Sequence, residues 1–179
     1  MARIAPFESH TQRYERWFAQ HQAAYLSELR ALREVLPDPG LALEIGVGTG
    51  RFAEPLGVAI GIDPSLRMLE HARQRGISVV CAVAEALPFR HDVFDHALIV
   101  TTICFVDDAR AMLAEACRVL KAEGVWSSAS SIGPAAWAAI TKLTGTRACS
   151  TAMRRSSPRM RSTGCSLRPA SVSGPGARP

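Results

Sequence analysis

The sequence LALEIGVGTG, residues 41–50, carries more structural information than any other part of the chain. Its apolar half, residues 41–45, is typical of a short strand that is buried on both faces of a sheet. Glycines then follow at positions 46, 48 and 50, which predicts a tight turn. Because glycine has no Cβ, the backbone N–H groups of such a turn can approach the polar part of a ligand beside a following helix. We therefore expect a cofactor site at the carboxyl end of this strand.

Strand and helix patterns alternate downstream of the glycine turn. Short apolar runs predict four further strands, at residues 58–62, 77–83, 95–101 and 125–132. A helix is predicted to begin near Ser65, directly after Asp63, and another to be capped by Asp107. This alternation predicts an α/β protein with a Rossmann-like parallel sheet and helices on both faces.

The segment before the glycine turn has a helical pattern. Apolar and aromatic residues recur at three- and four-residue steps between residues 9 and 36, which predicts one amphipathic helix or two helices joined at a bend. Its aromatic residues are expected either to face the core or to form a lid over the site: Tyr14, Trp17 and Phe18. Residues 1–40 are therefore interpreted as an N-terminal helical segment or lid.

The overall composition is that of a globular protein, with 47% hydrophobic and 21% charged residues. No apolar run approaches the roughly 18 residues of a membrane helix, and the N-terminus lacks the apolar centre of a secretory signal. We therefore expect a cytoplasmic protein without a membrane partner. The five cysteines include no C-x-x-C pair, so no metal site is expected. The sequence predicts no particular oligomeric state.

Charge is distributed unevenly along the chain. Residues 1–123 contain 13 Lys/Arg and 16 Asp/Glu, whereas residues 124–179 contain 8 Lys/Arg and no acidic residue. The second segment also contains 11 serines, against four in the first. Because such a composition buries too little apolar surface to offset chain ordering, residues 133–179 are predicted to be a disordered, low-complexity basic tail. A short amphipathic helix around residues 134–143 is the alternative for part of this tail.

Two hypotheses account for the abrupt change near Gly124. A frameshift in a GC-rich gene would exchange one residue composition for another inside a strand. Resequencing, or an alternative frame without an acidic, strand-forming continuation, would reject it. The competing hypothesis is a genuine basic tail for nucleic acid. No Tyr or Phe lies beyond Phe105 to stack on bases, so we expect no nucleic-acid partner.

The spacing of the glycines bears on the type of ligand. Gly50 follows Gly48 by two residues and not three, so the dinucleotide fingerprint G-x-G-x-x-G is not met. A pyrophosphate ligand is therefore disfavoured, although an NAD(P)-dependent Rossmann oxidoreductase stays open as the second enzyme hypothesis. Asp63 lies 15 residues after Gly48, where a carboxylate can accept hydrogen bonds from both hydroxyls of a ribose. The alternative role of Asp63 is to cap the following helix.

Five segments resemble, in order and spacing, a class I S-adenosylmethionine-dependent methyltransferase of the small-molecule type, grouped with the ubiquinone and menaquinone methyltransferases. They are LEIGVGTG (43–50), GIDPS (61–65), AEALPF (84–89), FD (94–95) and RVLK (118–121). The resemblance implies S-adenosylmethionine as cofactor and a small-molecule methyl acceptor as partner. It implies a cofactor-binding core over residues 41–132, with a sheet that is incomplete at its C-terminal edge. An inactive cofactor-binding protein that lacks the acceptor half of the site is the remaining alternative.

The resemblance also implies nine cofactor-binding residues: Glu44, Gly46, Val47, Gly48, Asp63, Pro64, Ala84, Glu85 and Thr101. The glycines would lie against the methionine part, and Glu44 would receive its amino group directly or through water. Asp63 would take the ribose hydroxyls, Ala84 with Glu85 would meet adenine, and Thr101 would lie under the sulfonium end. No catalytic residue is assigned, because methyl transfer by in-line displacement is promoted mainly by orientation, worth about 7 to 11 kcal/mol.

Overall fold

The computed structural model describes residues 5–36 and 40–129, and the backbone of residues 141–144. The helices are α1 (Ala5–Gln20), α2 (Gln22–Val35), α3 (Ala53–Leu56), α4 (Leu66–Gln74) and α5 (Ala109–Val119). The strands are β1 (Ala42–Ile45), β2 (Ile60–Asp63), β3 (Ser78–Cys81), β4 (Phe94–Val100), β5 (Leu120–Ala129) and β6 (Thr141–Thr144). None of the helices in these ranges is long and apolar enough to cross a membrane.

The strands form one sheet in the order β3-β2-β1-β4-β5-β6. The first five strands of this order are parallel, and β6 pairs with β5 in the antiparallel direction. Strand β1 lies between β2 and β4, so the chain turns from one half of the sheet to the other at this strand. In open α/β sheets, the crevice at such a switch point is where ligands bind.

Two hydrophobic cores cover the two faces of the sheet. One core packs α5 against Leu43 and Ile45 of β1. The other packs the sheet against helices α1, α2, α3 and α4, with Phe18 and Leu32 among its members. Since side chains alternate along a strand, Glu44 points away from the α5 core, towards the face that α1–α4 cover. The predicted Rossmann-like sheet with helices on both faces is confirmed.

The N-terminal segment forms two helices, which is one of the two predicted arrangements. Helix α1 ends at Gln20 and α2 begins at Gln22, with His21 between them. Helix α1 also bends at His10, where the backbone is not helical (φ −129°, ψ 30°). Phe18 and the α2 residues that face the sheet are buried, so this segment lies on the core and not apart from it.

The cap of helix α5 differs from the prediction by one residue. Asp108 has the extended backbone that is typical of an N-cap, and its carboxylate accepts hydrogen bonds from the N–H groups of Arg110 (2.8 Å) and Ala111 (3.1 Å). The predicted cap, Asp107, lies one position too early to reach these groups. Its own N–H donates instead to Glu85 Oε1 at 2.8 Å.

The C-terminal edge of the sheet also differs from the prediction. Strand β5 begins at Leu120, before residue 125, because an irregularity in pairing opposite Phe94 and His96 lets residues 120–124 join it. Strand β6 is not expected from the sequence, and it excludes the helical alternative at residues 141–143. The rest of the predicted basic tail lies outside the described residues.

Candidate cofactor site

A pocket opens at the carboxyl edge of the sheet, beside the switch point at β1. The empty space of this pocket, counted together with the open solvent at its mouth, is about 720 Å³. The loops after β1, β2, β3 and β4 form its walls, together with helix α1. Seven of the nine predicted residues line it: Gly46, Gly48, Asp63, Pro64, Ala84, Glu85 and Thr101. Glu44 and Val47 are not part of this lining.

The glycine turn is packed too closely for a side chain. The N–H groups of Gly46 and Val47 both donate to Ile62 O at 2.8 Å, which holds the turn against the end of β2. Gly46 has a φ of 77°, and a Cβ there would lie 2.3 Å from Thr102 Oγ1. A Cβ on Gly48 would lie 3.3 Å from the Tyr14 hydroxyl oxygen. The turn therefore presents backbone to the pocket between the end of β4 and helix α1.

Val47 has a structural position within this turn. Its side chain is 3% exposed and lies over Gly61 of β2, where a Cβ would be 2.6 Å from the Val47 side chain. It belongs to the core on the α1–α4 face. Of Val47, the structure therefore shows core packing and a turn hydrogen bond, and its contact with a cofactor stays a prediction.

Asp63 joins the glycine turn to helix α4. Its Oδ2 accepts from Gly48 N–H at 3.0 Å, and its Oδ1 accepts from Ser65 N–H at 2.8 Å. Ser65 itself is the N-cap of α4, so Asp63 supports the start of this helix without capping it. Burial raises the pKa of Asp63, and the two N–H donors only partly oppose this. Each carboxylate oxygen keeps a second lone pair, with which it can accept a hydrogen bond from a ligand.

Glu44 lies in β1 directly before the glycine turn. Its side chain is 1% exposed, and its Oε2 has no hydrogen-bond partner among the described residues. Burial raises the pKa of Glu44 well above its ordinary value, and the negative charge of Asp63 adds to the effect. A buried acceptor without a donor is costly. Glu44 is therefore a group that a donor from a ligand would stabilise.

Glu85 connects two loops at the far side of the pocket. It follows β3, and its Oε1 accepts from Asp107 N–H at 2.8 Å and Asp108 N–H at 3.3 Å, at the start of α5. Ala84 beside it is buried in the α5 core. The carboxylate is thus fixed in place by the loop after β4.

Thr101 has a strained backbone at the end of β4. Its φ of 55° is in the left-handed region, which is a genuine outlier for a β-branched residue. Its N–H donates to Ala129 O at 2.8 Å, and the neighbouring Thr102 Oγ1 lies 3.0 Å from both Ile45 O and Val100 O. Strain of this kind persists where surrounding contacts hold it, and it is common at functional sites.

Helix α1 contributes side chains to the pocket that were not among the nine predicted residues. Phe7 and Tyr14 line the pocket, whereas Phe18 is buried in the core and Trp17 is 37% exposed. Burial, together with the nearby negative charges of Glu44 and Asp63, raises the pKa of Tyr14. Because α1 bends at His10, between Phe7 and Tyr14, a regular helical spacing could not have identified both.

The loop after β4 supplies the opposite wall. Phe105 and Val106 line the pocket, and the Phe105 ring meets the Phe7 ring edge-to-face at a centroid distance of 4.9 Å. Edge-to-face geometry is a favourable arrangement for two aromatic rings. Neither residue belongs to a pattern that the sequence marks for function, because single apolar residues in a loop have no periodicity.

Comparisons with known proteins find similarity to methyltransferases. Residues 43–127 match a family model described as a methyltransferase domain. The chain is 44% identical over 118 residues to an uncharacterized protein of Methanocaldococcus jannaschii, covering 66% of this chain and 57% of that protein. It is 36% identical over 98 residues to a ubiquinone/menaquinone biosynthesis C-methyltransferase of Desulfotalea psychrophila, covering 49% of this chain and 40% of that protein.

A solved structure shares both sequence and fold. It is a SAM-dependent methyltransferase from Thermotoga maritima, described as a possible histamine N-methyltransferase. The TM-score is 0.68 at 53% identity, covering 70% of this chain and 60% of that one. The chain therefore spans less than two thirds of the length of these relatives. Residues 43–127, which hold the glycine turn and both pocket carboxylates, therefore match a methyltransferase domain and share the class I fold of S-adenosylmethionine-dependent methyltransferases.

Proposed function

We propose that this protein transfers a methyl group from S-adenosylmethionine to a small-molecule acceptor. One observation carries the proposal: the glycine turn and the side chains of Asp63 and Glu85, which lie in three separate loops, line a single pocket. Two carboxylates on opposite faces of the sheet would have argued against a common ligand. The match to a methyltransferase domain and the similarity to a SAM-dependent methyltransferase support S-adenosylmethionine as that ligand.

The chemistry of the pocket fits this cofactor. S-adenosylmethionine offers hydrogen-bond donors at its amino group, ribose hydroxyls and adenine N6, and it carries a positive sulfonium. The pocket lining contains Asp63 and Glu85, and no Lys, Arg or His is among its described residues. Beneath the turn, Glu44 Oε2 is a buried acceptor without a partner in the described part of the chain. Acceptors and negative charge are thus matched to donors and positive charge.

We assign a part of the cofactor to each pocket segment as follows. The backbone of the glycine turn would hold the methionine part, with Glu44 receiving the amino group. Asp63 would accept from the ribose hydroxyls, and Glu85 with Ala84 would bind adenine. Pro64 and Thr101 complete the predicted set, Pro64 beside the ribose and Thr101 beside the reacting centre.

The role of the protein in the reaction is to orient and to exclude water. When bound, the cofactor supplies an electrophilic methyl group on a sulfonium, with a thioether as the leaving group. Phe7, Phe105 and Val106 form an apolar wall that would keep water from the acceptor. Holding donor and acceptor in line can be worth about 7 to 11 kcal/mol. A general base is required only if the acceptor must lose a proton.

The apolar wall supports an acceptor that is small and contains an apolar or aromatic part. The described Phe7–Phe105 pair borders the pocket with ring faces and edges, on which a flat ring would pack. The printed descriptions of two similar proteins, a quinone-biosynthesis C-methyltransferase and a possible histamine N-methyltransferase, also name small molecules. A nicotinamide-dependent oxidoreductase has no such support.

The proposal is tested by measuring S-adenosylhomocysteine formed from S-adenosylmethionine. Demethylmenaquinone and histamine, which the descriptions of similar proteins name, serve as small-molecule probes, and transfer RNA serves as a macromolecular probe. We expect S-adenosylhomocysteine to accumulate with a small-molecule probe and not with transfer RNA. Binding of S-adenosylmethionine without product from any probe would instead support an inactive cofactor-binding protein, and product only with transfer RNA would overturn the small-molecule assignment.

A further inference from the structure

Glu15 on helix α1 faces two arginines that lie beside the glycine turn, outside the lining of the pocket. Its Oε2 accepts from Arg51 Nε at 3.0 Å and from Arg51 Nη2, and also from Arg75 Nη2 at 3.0 Å. Arg51 directly follows the glycine turn, and Arg75 lies at the end of α4. We refer to Glu15, Arg51 and Arg75 as the clasp.

Both arginines of the clasp are attached to the glycine turn. Arg51 follows Gly50 in the chain, and Arg75 Nη1 donates to Thr49 O at 3.0 Å. The Glu15 carboxylate on α1 is therefore linked to the glycine turn through both arginines. Tyr14 directly precedes Glu15, and its hydroxyl oxygen would lie 3.3 Å from a Cβ on Gly48, so two successive residues of α1 lie close to the turn or to its arginines.

The clasp is more enclosed than an ordinary surface ion pair. The side chains of Glu15, Arg51 and Arg75 are 20%, 30% and 19% exposed. Burial alone would raise the pKa of Glu15, but hydrogen bonding to Arg51 and the charge of Arg75 outweigh it, so that the pKa is lowered. A network of several charges with low exposure contributes more than an isolated exposed pair.

Further contacts fix the arginine that follows the turn. The guanidinium carbon of Arg51 lies 5.5 Å from the centre of the Phe18 ring, a cation–π arrangement with the next turn of α1. The Tyr25 hydroxyl of α2 donates to Arg51 O at 2.6 Å. Both N-terminal helices thus contact one residue of the turn, and α1 alone contributes Phe7 and Tyr14 to the pocket.

We propose that Glu15 is a positioning residue for the cofactor: through Arg51 and Arg75 it holds helix α1 on the glycine turn, with Tyr14 and Phe7 over the bound ligand. This inference rests on the proposed function, since it assumes that the pocket binds S-adenosylmethionine. It goes further by assigning the closure of the pocket to a side chain that does not line it. Loss of the clasp is expected to speed release of the ligand more than it slows binding.

The test compares Glu15→Gln with Glu54→Gln. Glu54 is a matched control because it pairs with the same Arg75 at 3.0 Å but lies on α3 and makes no link to α1 in the described contacts. We expect Glu15→Gln to raise the Kd for S-adenosylhomocysteine by about 5- to 30-fold, corresponding to the loss of one or two kcal/mol, and Glu54→Gln to leave it within about twofold. In Glu15→Gln, amide hydrogen exchange should become faster in residues 5–20 and stay unchanged in β1 and β4. A general loss of stability would instead make exchange faster in all of these segments.

A second variant covers the case in which Glu15→Gln does not fold. Arg75→Gln keeps the Arg51 bond of Glu15 and should give an intermediate loss of affinity. Equal Kd values for the clasp variants and Glu54→Gln, or a uniform rise of exchange across the sheet, would overturn the inference. If the wild-type protein does not bind S-adenosylhomocysteine, the proposed function fails, whereas the exchange comparison still tests whether the clasp holds α1.

Discussion

Asp63 serves the fold and the candidate site with the same two oxygen atoms. Gly48 N–H and Ser65 N–H already donate to it, and its remaining lone pairs are available to a ligand. Asp63→Asn keeps the size of the side chain, removes its charge and replaces one of its two acceptor oxygens by a donor. Hydrogen bonds to charged groups contribute about 1.5 to 3 kcal/mol, so we expect the Kd for S-adenosylhomocysteine to rise roughly 10- to 100-fold by calorimetry.

The matched control for this prediction is Asp95→Asn. Asp95 also accepts a backbone hydrogen bond, from Leu41 N–H at 2.9 Å, and it pairs with Lys121, but it lies at the amino end of β4, away from the pocket. The Kd of Asp95→Asn for S-adenosylhomocysteine should equal that of the wild type. Equal losses of affinity in the two variants would mean that Asp63 acts through the fold and does not contact the ligand.

Gly46 provides a second prediction at the level of a single residue. Gly46→Ala places a Cβ 2.3 Å from Thr102 Oγ1, in addition to the cost of about 1 to 2 kcal/mol for a left-handed non-glycine residue. Gly57→Ala has the same left-handed backbone (φ 71°) but meets nothing within 4 Å. We expect Gly46→Ala to lower the free energy of unfolding by clearly more than Gly57→Ala, and to lose affinity for S-adenosylhomocysteine as well. Equal losses in urea denaturation would show that the turn tolerates a side chain.

The sequence predicts some residues of the pocket better than others, and the reason is physical. Asp63 and the glycines are predictable because a strand end and a tight turn restrict both residue type and position. Phe7 and Tyr14 reach the pocket through the docking of a helix, which is a tertiary event that no local pattern records. Val47 is predicted to contact the cofactor because it lies between two glycines of the resembling motif. In the structure its side chain packs over Gly61.

At the level of the elements, the start of helix α5 links folding to the pocket. Asp108 caps this helix, while its own N–H donates to Glu85 at 3.3 Å. Asp108→Ala should lower the free energy of unfolding by about 0.5 to 2 kcal/mol, whereas Asp108→Asn, an equally good cap, should change it little. Chemical denaturation of the two variants measures the difference. Equal destabilisation by alanine and asparagine would indicate that the charge of Asp108, and not its capping bonds, matters.

The prediction of whole elements succeeds where burial determines the pattern. Strands β1, β2 and β4 are mostly apolar because both faces of the sheet are covered. Strand β6 forms by backbone pairing along the edge of β5, which requires no apolar alternation in its own sequence. The early start of β5 could not be predicted either, because residues 121–124 (Lys-Ala-Glu-Gly) contain no apolar run and join the strand only through an irregularity in pairing.

For the molecule as a whole, the raised pKa of Glu44 determines how we expect the free energy of unfolding to depend on pH. Burial raises its folded-state pKa well above the ordinary 4.5, so its contribution to stability is complete below that value and is lost as the pH rises through the folded-state pKa. The loss approaches about 1.4 kcal/mol per pH unit within this window. Glu44→Gln lacks this titration. Its free energy of unfolding should therefore fall less than that of the wild type between pH 5 and pH 8, while its affinity for S-adenosylhomocysteine decreases.

Urea denaturation of both proteins across this pH range measures the effect. Parallel stability curves would contradict the assignment of Glu44 as a buried carboxyl group with a raised pKa. If Glu44→Gln is more stable than the wild type at pH 8 but binds S-adenosylhomocysteine as tightly, Glu44 does not bind the amino group of the cofactor. The Glu44 side chain should lower the stability of the free protein and raise its affinity for the ligand.

The central claim is that three loops at the carboxyl edge of one sheet form a single adenosine-binding pocket. Calorimetric titration of the purified protein with S-adenosylhomocysteine, and separately with NAD, tests this claim most directly. We expect saturable binding of one S-adenosylhomocysteine per chain and no binding of NAD. Absence of heat with S-adenosylhomocysteine, or tighter binding of NAD, would contradict it.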